Sequence, residues 1–134
     1  VEAAQRQFAD LDVSFVIGIP NETCRVVVDS DLCERMVGNL LKNAVDASPA
    51  GGSIYIRAYC EEEYYVFDIA DQGPGVKAED MDKIFEPFFT TRAKGTGLGL
   101  SYVAQIVSTH EGNIRVENCQ QGGALFRVKI PLST

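Results

Sequence analysis

The segment that most constrains this chain runs from Asn39 through Asn43 to Asp46, where two amides and a carboxylate fall four and then three residues apart. At about 100° per residue these groups share an arc of roughly 60° on an α-helix and form one polar stripe. Val37, Leu40, Leu41 and Ala44 cluster on another side of the same helix. Such a helix can rest its apolar stripe on a core while its amides face a cleft. Asparagine prefers caps and turns, so two of them in mid-helix need a reason that propensity does not supply. A merely solvated helix face is the plain alternative.

The rest of the chain frames that helix. Residues 13–17 and 24–28 are short β-branched runs separated by Gly18, Pro20 and Asn21, which suggests a strand pair joined by a turn. Asp29 and Ser30 are both good N-cap residues, the helix spans about 31–48, and Pro49 with Gly51 and Gly52 ends it. Ile54, Ile56 and Ala58 alternate with Tyr55, Arg57 and Tyr59, and a charged turn at Glu61 to Glu63 leads into 64–70, a hairpin of half-buried strands. Residues 71–99 lack sustained periodicity apart from a helical turn at 78–84, and long connections of that kind are usually lids or binding loops. A second helix is expected at about 97–110, then strands at 113–118 and 124–130; residues 1–10 read as a helical lead-in. This order indicates an α/β two-layer sandwich, with helices on one face of a mixed sheet.

Composition narrows the class. A chain of 134 residues fits a single domain with its own core, and a hydrophobic fraction of 46% beside 23% charged residues gives no ground for disorder. The net charge of -7 argues against nucleic acid and against direct contact with an anionic membrane. Cys24, Cys33, Cys60 and Cys119 have no paired spacing and only one histidine accompanies them, so a zinc site is not indicated and reduced cysteines in a cytoplasmic domain are expected. No signal peptide or long apolar span follows Val1, and the expectation is a piece excised from a longer protein.

Asp71, Gly73 and Gly75 form a D-x-G-x-G box directly after the apolar strand. An aspartate there can accept hydrogen bonds from a flat ligand, because the glycines let backbone approach closely; a tight turn is the bland alternative. Gly95, Gly97 and Gly99 open the second helix as G-x-G-x-G, where unpaired N–H groups and the helix dipole favour an anion. It is neither a Walker loop nor a Rossmann fingerprint. Between the boxes, Phe85, Phe88 and Phe89 are expected to anchor the loop to the body, and Arg92 and Lys94 bring positive charge to the glycines.

This ordered set of asparagine box, D-x-G-x-G, phenylalanine box and G-x-G-x-G resembles the catalytic ATP-binding domain of sensor histidine kinases, with the Bergerat fold shared by gyrase-type ATPases. The resemblance covers residues 10 to 132. It implies ATP and Mg²⁺ as ligands and a flexible ATP lid that includes residues 85–91. Asn43 would ligate the metal, and Asn39, one turn earlier, would support the metal or phosphate shell. Asp71 would pair with the adenine amino group in a pocket shaped by Gly73 and Gly75, while Gly95, Gly97 and Gly99 would wrap the phosphates. Val76, Ile84, Phe89, Thr91, Thr96, Leu98 and Leu100 complete the implied nucleotide contacts, with Arg92 and Lys94 counted among the catalytic groups. Its implied partners are a phosphoacceptor-histidine dimerisation domain of the same protein and the receiver domain of a response regulator. Anchoring of the parent at an inner membrane is left open.

The chain departs from that pattern at Asp46, where many members carry a basic residue. Arg92 or Lys94 would then have to neutralise phosphate, and Asp46 could hold a water of the metal shell or simply bond within the fold. His110 ends the second helix, where a histidinium would suit the dipole, and is read as structural and not as the phosphoacceptor. A gyrase-like hydrolase is one rival, but it needs a glutamate base where Asn39 stands. An anti-sigma-type serine kinase and a non-catalytic nucleotide-binding interaction module are the others.

Overall fold

Period-two alternation puts Ile54 and Ile56 on the same side of their strand as Ile69 and Phe67 on the next and as Phe126 and Val128 beyond it, and that shared apolar face organises the molecule. The computed structural model describes residues 27–89 and 99–132, together with the backbone of 13–18. Its strands are β1 (Val13–Gly18), β2 (Gly52–Glu61), β3 (Tyr64–Ala70), β4 (Asn113–Asn118) and β5 (Ala124–Pro131). They lie in one sheet in the order β1-β2-β3-β5-β4, with β1 parallel to β2 and the other pairs antiparallel. Helices α1 (Ser30–Ala47) and α2 (Gly99–Thr109) supply Met36, Leu40, Leu41, Val103, Ile106 and Val107 to the same core. The two-layer sandwich with a mixed sheet is therefore as expected. Among the described residues, no helix is long and apolar enough to cross a membrane.

The first strand pairs differently from the sequence expectation. β1 runs parallel to β2, Val13 opposite Gly52 through Gly18 opposite Arg57. Parallel neighbours require a long crossover, and α1 provides it. Of the run once expected to form the other half of a hairpin, residues 24–26 lie outside the described residues, and Val27 and Val28 belong to no strand. The expected lead-in at 1–10 lies outside them too.

Helix α1 is fixed at both ends. The Asp29 side chain caps it by accepting from the Leu32 N–H at 3.0 Å, and the Ser48 N–H closes it onto the carbonyls of Ala44 and Val45. A second tie crosses to α2: the Asp29 N–H donates to His110 Nε2 at 2.9 Å, while His110 Nδ1 donates to the Ile106 carbonyl at 2.8 Å. With Nε2 accepting, Nδ1 is the ring nitrogen that donates. These contacts agree with the expectation that His110 is structural. Arg35 meets the Tyr102 hydroxyl at 3.4 Å between the ends, so the helices lie antiparallel.

The cysteines also differ from expectation. Cys60, at the end of β2, is disulfide-bonded, whereas Cys33 and Cys119 are free thiols. Burial pushes both free thiols up, with Asp29 adding to the effect at Cys33 and Asp71 and Glu117 at Cys119. Neither is poised as a thiolate.

On the sheet face away from the helices, Asp68 is only 5% exposed and accepts from Arg127 Nε at 2.8 Å and Nη2 at 3.0 Å. Arg57 and the Tyr59 hydroxyl approach the same carboxylate, and Asp68 raises the Arg127 guanidinium pKa above its ordinary value. Replacing Asp68 with alanine strands these donors and is expected to cost about 1.5–3 kcal/mol in urea denaturation. His110→Phe, which keeps a ring but removes both hydrogen bonds, is expected to cost about 1–2 kcal/mol. An unchanged urea midpoint in either variant would refute the corresponding tie.

Candidate functional site

The site is built where β3 stops. Asp71 follows the strand directly and is 4% exposed, with Oδ1 accepting from the Gly73 N–H at 2.9 Å and the Ala124 N–H at 3.1 Å. Its own N–H donates to the Ala124 carbonyl at 3.0 Å. One oxygen therefore turns the chain and ties it to β5. Among the described residues Oδ2 receives no protein donor, so it remains an acceptor for something else.

The loop from Asp71 to Val76 is held on several sides. Gln72 Oε1 accepts from the Ser53 N–H at 2.7 Å, at the start of β2. Gly73 lies against the Ala47 carbonyl at the end of α1, where any Cβ would overlap it. Asn118, the last residue of β4, takes the Val76 N–H on Oδ1 at 2.8 Å and donates Nδ2 to the Val76 carbonyl at 2.7 Å. Gly123 has φ +90° and packs on the Asp71 backbone so closely that a side chain there would displace the aspartate.

Helix α1 brings its asparagines to the same end. Asn39 Nδ2 donates to the Arg35 carbonyl at 3.0 Å, and its Oδ1 lies 3.5 Å from where a Cβ on Gly99 would stand. The asparagine helix and the start of the glycine-opened helix therefore face each other closely. Asn43 is half-buried one turn further on. Asp46 is exposed and forms an ion pair with Lys42 at 3.5 Å.

Around the expected lid, Ile84 is buried, Phe85 packs edge-on against Phe126 at 6.3 Å between ring centroids, and Phe89, Val76 and Leu100 rest on the core. Phe88 is 75% exposed, so Phe85 and Phe89 are the two that anchor this segment here. Thr91, Arg92, Lys94, Gly95, Thr96, Gly97 and Leu98 lie outside the described residues. Two other concavities, an apolar one of about 340 Å³ between α1 and the sheet and a polar groove of about 500 Å³ over β4 and β5, touch none of Asn39, Asn43 and Asp71.

Sequence reasoning missed Gln72, Asn118, Gly123 and Ser48, whose buried Oγ has no hydrogen-bond partner among the described residues. Only the paired glycines 122 and 123 carried a signal, and they read as an ordinary hairpin turn. The donor set suits a nucleotide: a carboxylate oxygen with no donor among the described residues at a glycine-lined loop, and a side-chain amide across from a helix start. Among the described residues no cluster of three or more His, Cys, Asp or Glu could hold a metal. A divalent ion here would depend on an amide oxygen and on the ligand's own phosphates, a pattern that magnesium accepts.

Comparison with known proteins agrees with this geometry. The family described as histidine kinase-, DNA gyrase B- and HSP90-like ATPase matches residues 28–134. Sensor protein KdpD of Clostridium acetobutylicum is 37% identical over 86% of the chain, and signal transduction histidine-protein kinase AtoS of Escherichia coli is 37% identical over 90%. The chain spans only 13% and 20% of those two proteins' lengths. Among solved structures, the mycobacterial sensor histidine kinase MprB superposes with a TM-score of 0.86 at 32% identity, covering 98% of this chain and 88% of that one. The catalytic domain of histidine kinase ThkA gives a TM-score of 0.87 at 32% identity, covering 97% and 86%. The chain belongs to the family of histidine kinase-, DNA gyrase B- and HSP90-like ATPases, as a catalytic domain of the histidine-kinase type.

Proposed function

We propose that this domain binds ATP with magnesium and presents the γ-phosphoryl group to a histidine on a dimerisation domain of the same, longer protein. The observation that carries this reading is the Asp71 carboxylate, with one oxygen spent on the Gly73 and Ala124 amides and the other without a donor among the described residues. Oδ2 would accept from the adenine amino group, while Gly73 and Gly75 let the base approach the backbone. A guanine carbonyl at the same place would meet the carboxylate as a second acceptor and be rejected.

Asn39 would support the phosphates from α1, facing Gly99, and Gly95 and Gly97 would wrap them. Asn43 would hold magnesium together with the phosphates, and that ion supplies charge neutralisation. Arg92 and Lys94 are the proposed cations of the lid, a role made more necessary by Asp46 in a position where a basic residue would otherwise help. The lone pair of the acceptor histidine nitrogen forms the N–P bond as the bridging P–O bond breaks, and that bond's electrons leave on ADP. Positioning and electrostatics dominate such transfers, so a domain without its own nucleophile can be the catalytic part. His110 is not that acceptor, because both ring nitrogens are engaged, Nε2 with the Asp29 N–H at the start of α1 and Nδ1 with the Ile106 carbonyl of α2.

Hydrolysis as the main activity is disfavoured by Asn39, whose amide cannot take a proton from water. A response regulator is the proposed recipient of the phosphoryl group; a related structure, at 29% identity, is histidine kinase ThkA in complex with response regulator protein TrrA.

Titration of the domain with ATP and magnesium should give saturable binding. Asp71→Asn turns the free acceptor into a donor and is expected to weaken ATP by about tenfold to a hundredfold, as loss of a hydrogen bond to a charged group implies. Asn43→Ala should remove the magnesium dependence of binding; an affinity that still rises with magnesium contradicts its role as metal ligand. Mixing the domain and ATP–Mg²⁺ with a separately made dimerisation domain from the same protein should yield acid-labile phosphohistidine, whereas label confined to serine or released only as inorganic phosphate would favour the rival activities.

A further inference from the structure

A single cross-strand pair holds both ends of the loop that would cradle the base. Asn118 on β4 lies opposite Ala124 on β5. The Ala124 N–H reaches Asp71 Oδ1 at the start of the loop, and the Asn118 amide takes both the N–H and the carbonyl of Val76 at its end. Gly75, between them, has φ +79°, and a Cβ there would stand 2.6 Å from Asn118 Oδ1. Loop and asparagine are thus fitted to one another over a separation of 42 residues.

Asn118 is exposed and contributes to no apolar cluster. Its two hydrogen bonds are made only to the loop backbone. A side chain spent in this way has little to do with the core and much to do with where Gly75 and Val76 stand relative to Asp71. We infer that Asn118 is a positioning residue for base recognition: its amide fixes the far wall of the pocket so that Asp71 Oδ2 and the Gly75 backbone meet an adenine without rearrangement. This rests on the nucleotide reading given above. Preorganising such a wall raises affinity by removing the ordering cost at the moment of binding. It also sharpens selection between bases, since a loose wall can shift to accommodate the wrong one.

The test compares ATP and GTP affinity, measured by titration calorimetry or fluorescence, with thermal denaturation of the same 134-residue chain. Asn118→Ala should weaken ATP about tenfold, the ordering cost of a wall that is no longer preformed. It should weaken GTP less, so that the preference for ATP is compressed, and the melting midpoint should fall only by the few degrees that two lost hydrogen bonds at an exposed side chain imply. Asn118→Asp keeps size and one acceptor but sets an oxygen against the Val76 carbonyl, and should lose as much as alanine. Unchanged ATP affinity in Asn118→Ala overturns the inference. A parallel fall in ATP affinity, GTP affinity and melting midpoint overturns it as well, leaving only a structural tie. If the wild-type chain binds neither nucleotide, the nucleotide reading falls and takes this inference with it; wild-type binding with an indifferent Asn118→Ala sinks the inference alone.

Discussion

The carboxylate of Asp71 is the constraint on which the site depends. Burying an ionised group is costly unless hydrogen bonds replace its water, and here two backbone amides do so on a single oxygen. That arrangement joins the end of β3 to the start of β5, turns the chain at Gly73 and leaves a directed acceptor at the mouth of the sheet. Gly123 belongs to the same constraint, since only a residue without a side chain lets β5 begin so close to the Asp71 backbone. The structural tie and the proposed recognition group are therefore the same side chain.

The helical layer sets the opposite wall. α1 and α2 are antiparallel and meet at three levels: Asn39 beside Gly99, Arg35 on Tyr102, and Asp29 on His110. Fixing the far end through the Asp29–His110 hydrogen bond holds the register along the full length of the pair. The Asn39 amide at the near end then faces a helix start whose position is determined by contacts remote from it. The hydrophobic core beneath supplies the rigid base, and the lid segment after Ile84 rests on it through Phe85 and Phe89 while Phe88 faces outward.

Much of this was legible in the chain itself. The helical spacing of Asn39 and Asn43 and the alternation of Ile54, Ile56 and Ala58 gave α1, the β2–β3 hairpin and the two-layer class, because each is a local pattern with a local cause. The pairing of β1 was not legible, since a parallel neighbour is separated by a whole helix and leaves no short-range mark. Asn118 and Gln72 were missed for the same reason: an amide at a strand end looks the same whether it meets water or a backbone 42 residues away. The partner of His110 was not legible either, because the Asp29 N–H that it accepts lies 81 residues distant. Cys60 was taken as reduced from residue spacing, which does not report which thiols meet in space.

The central claim is that base and phosphates sit between the Asp71 loop and the amide face of α1. Mapping backbone amide chemical shifts while a non-hydrolysable ATP analogue and magnesium are added tests it most directly. The largest changes are expected at Gly73, Gly75 and Val76, at Asn39 and Asn43, and at Gly99, with little at Arg115 or Lys129 on the far face of the sheet. Changes centred on β4 and β5 instead, with the Asp71 loop and α1 silent, would contradict the account.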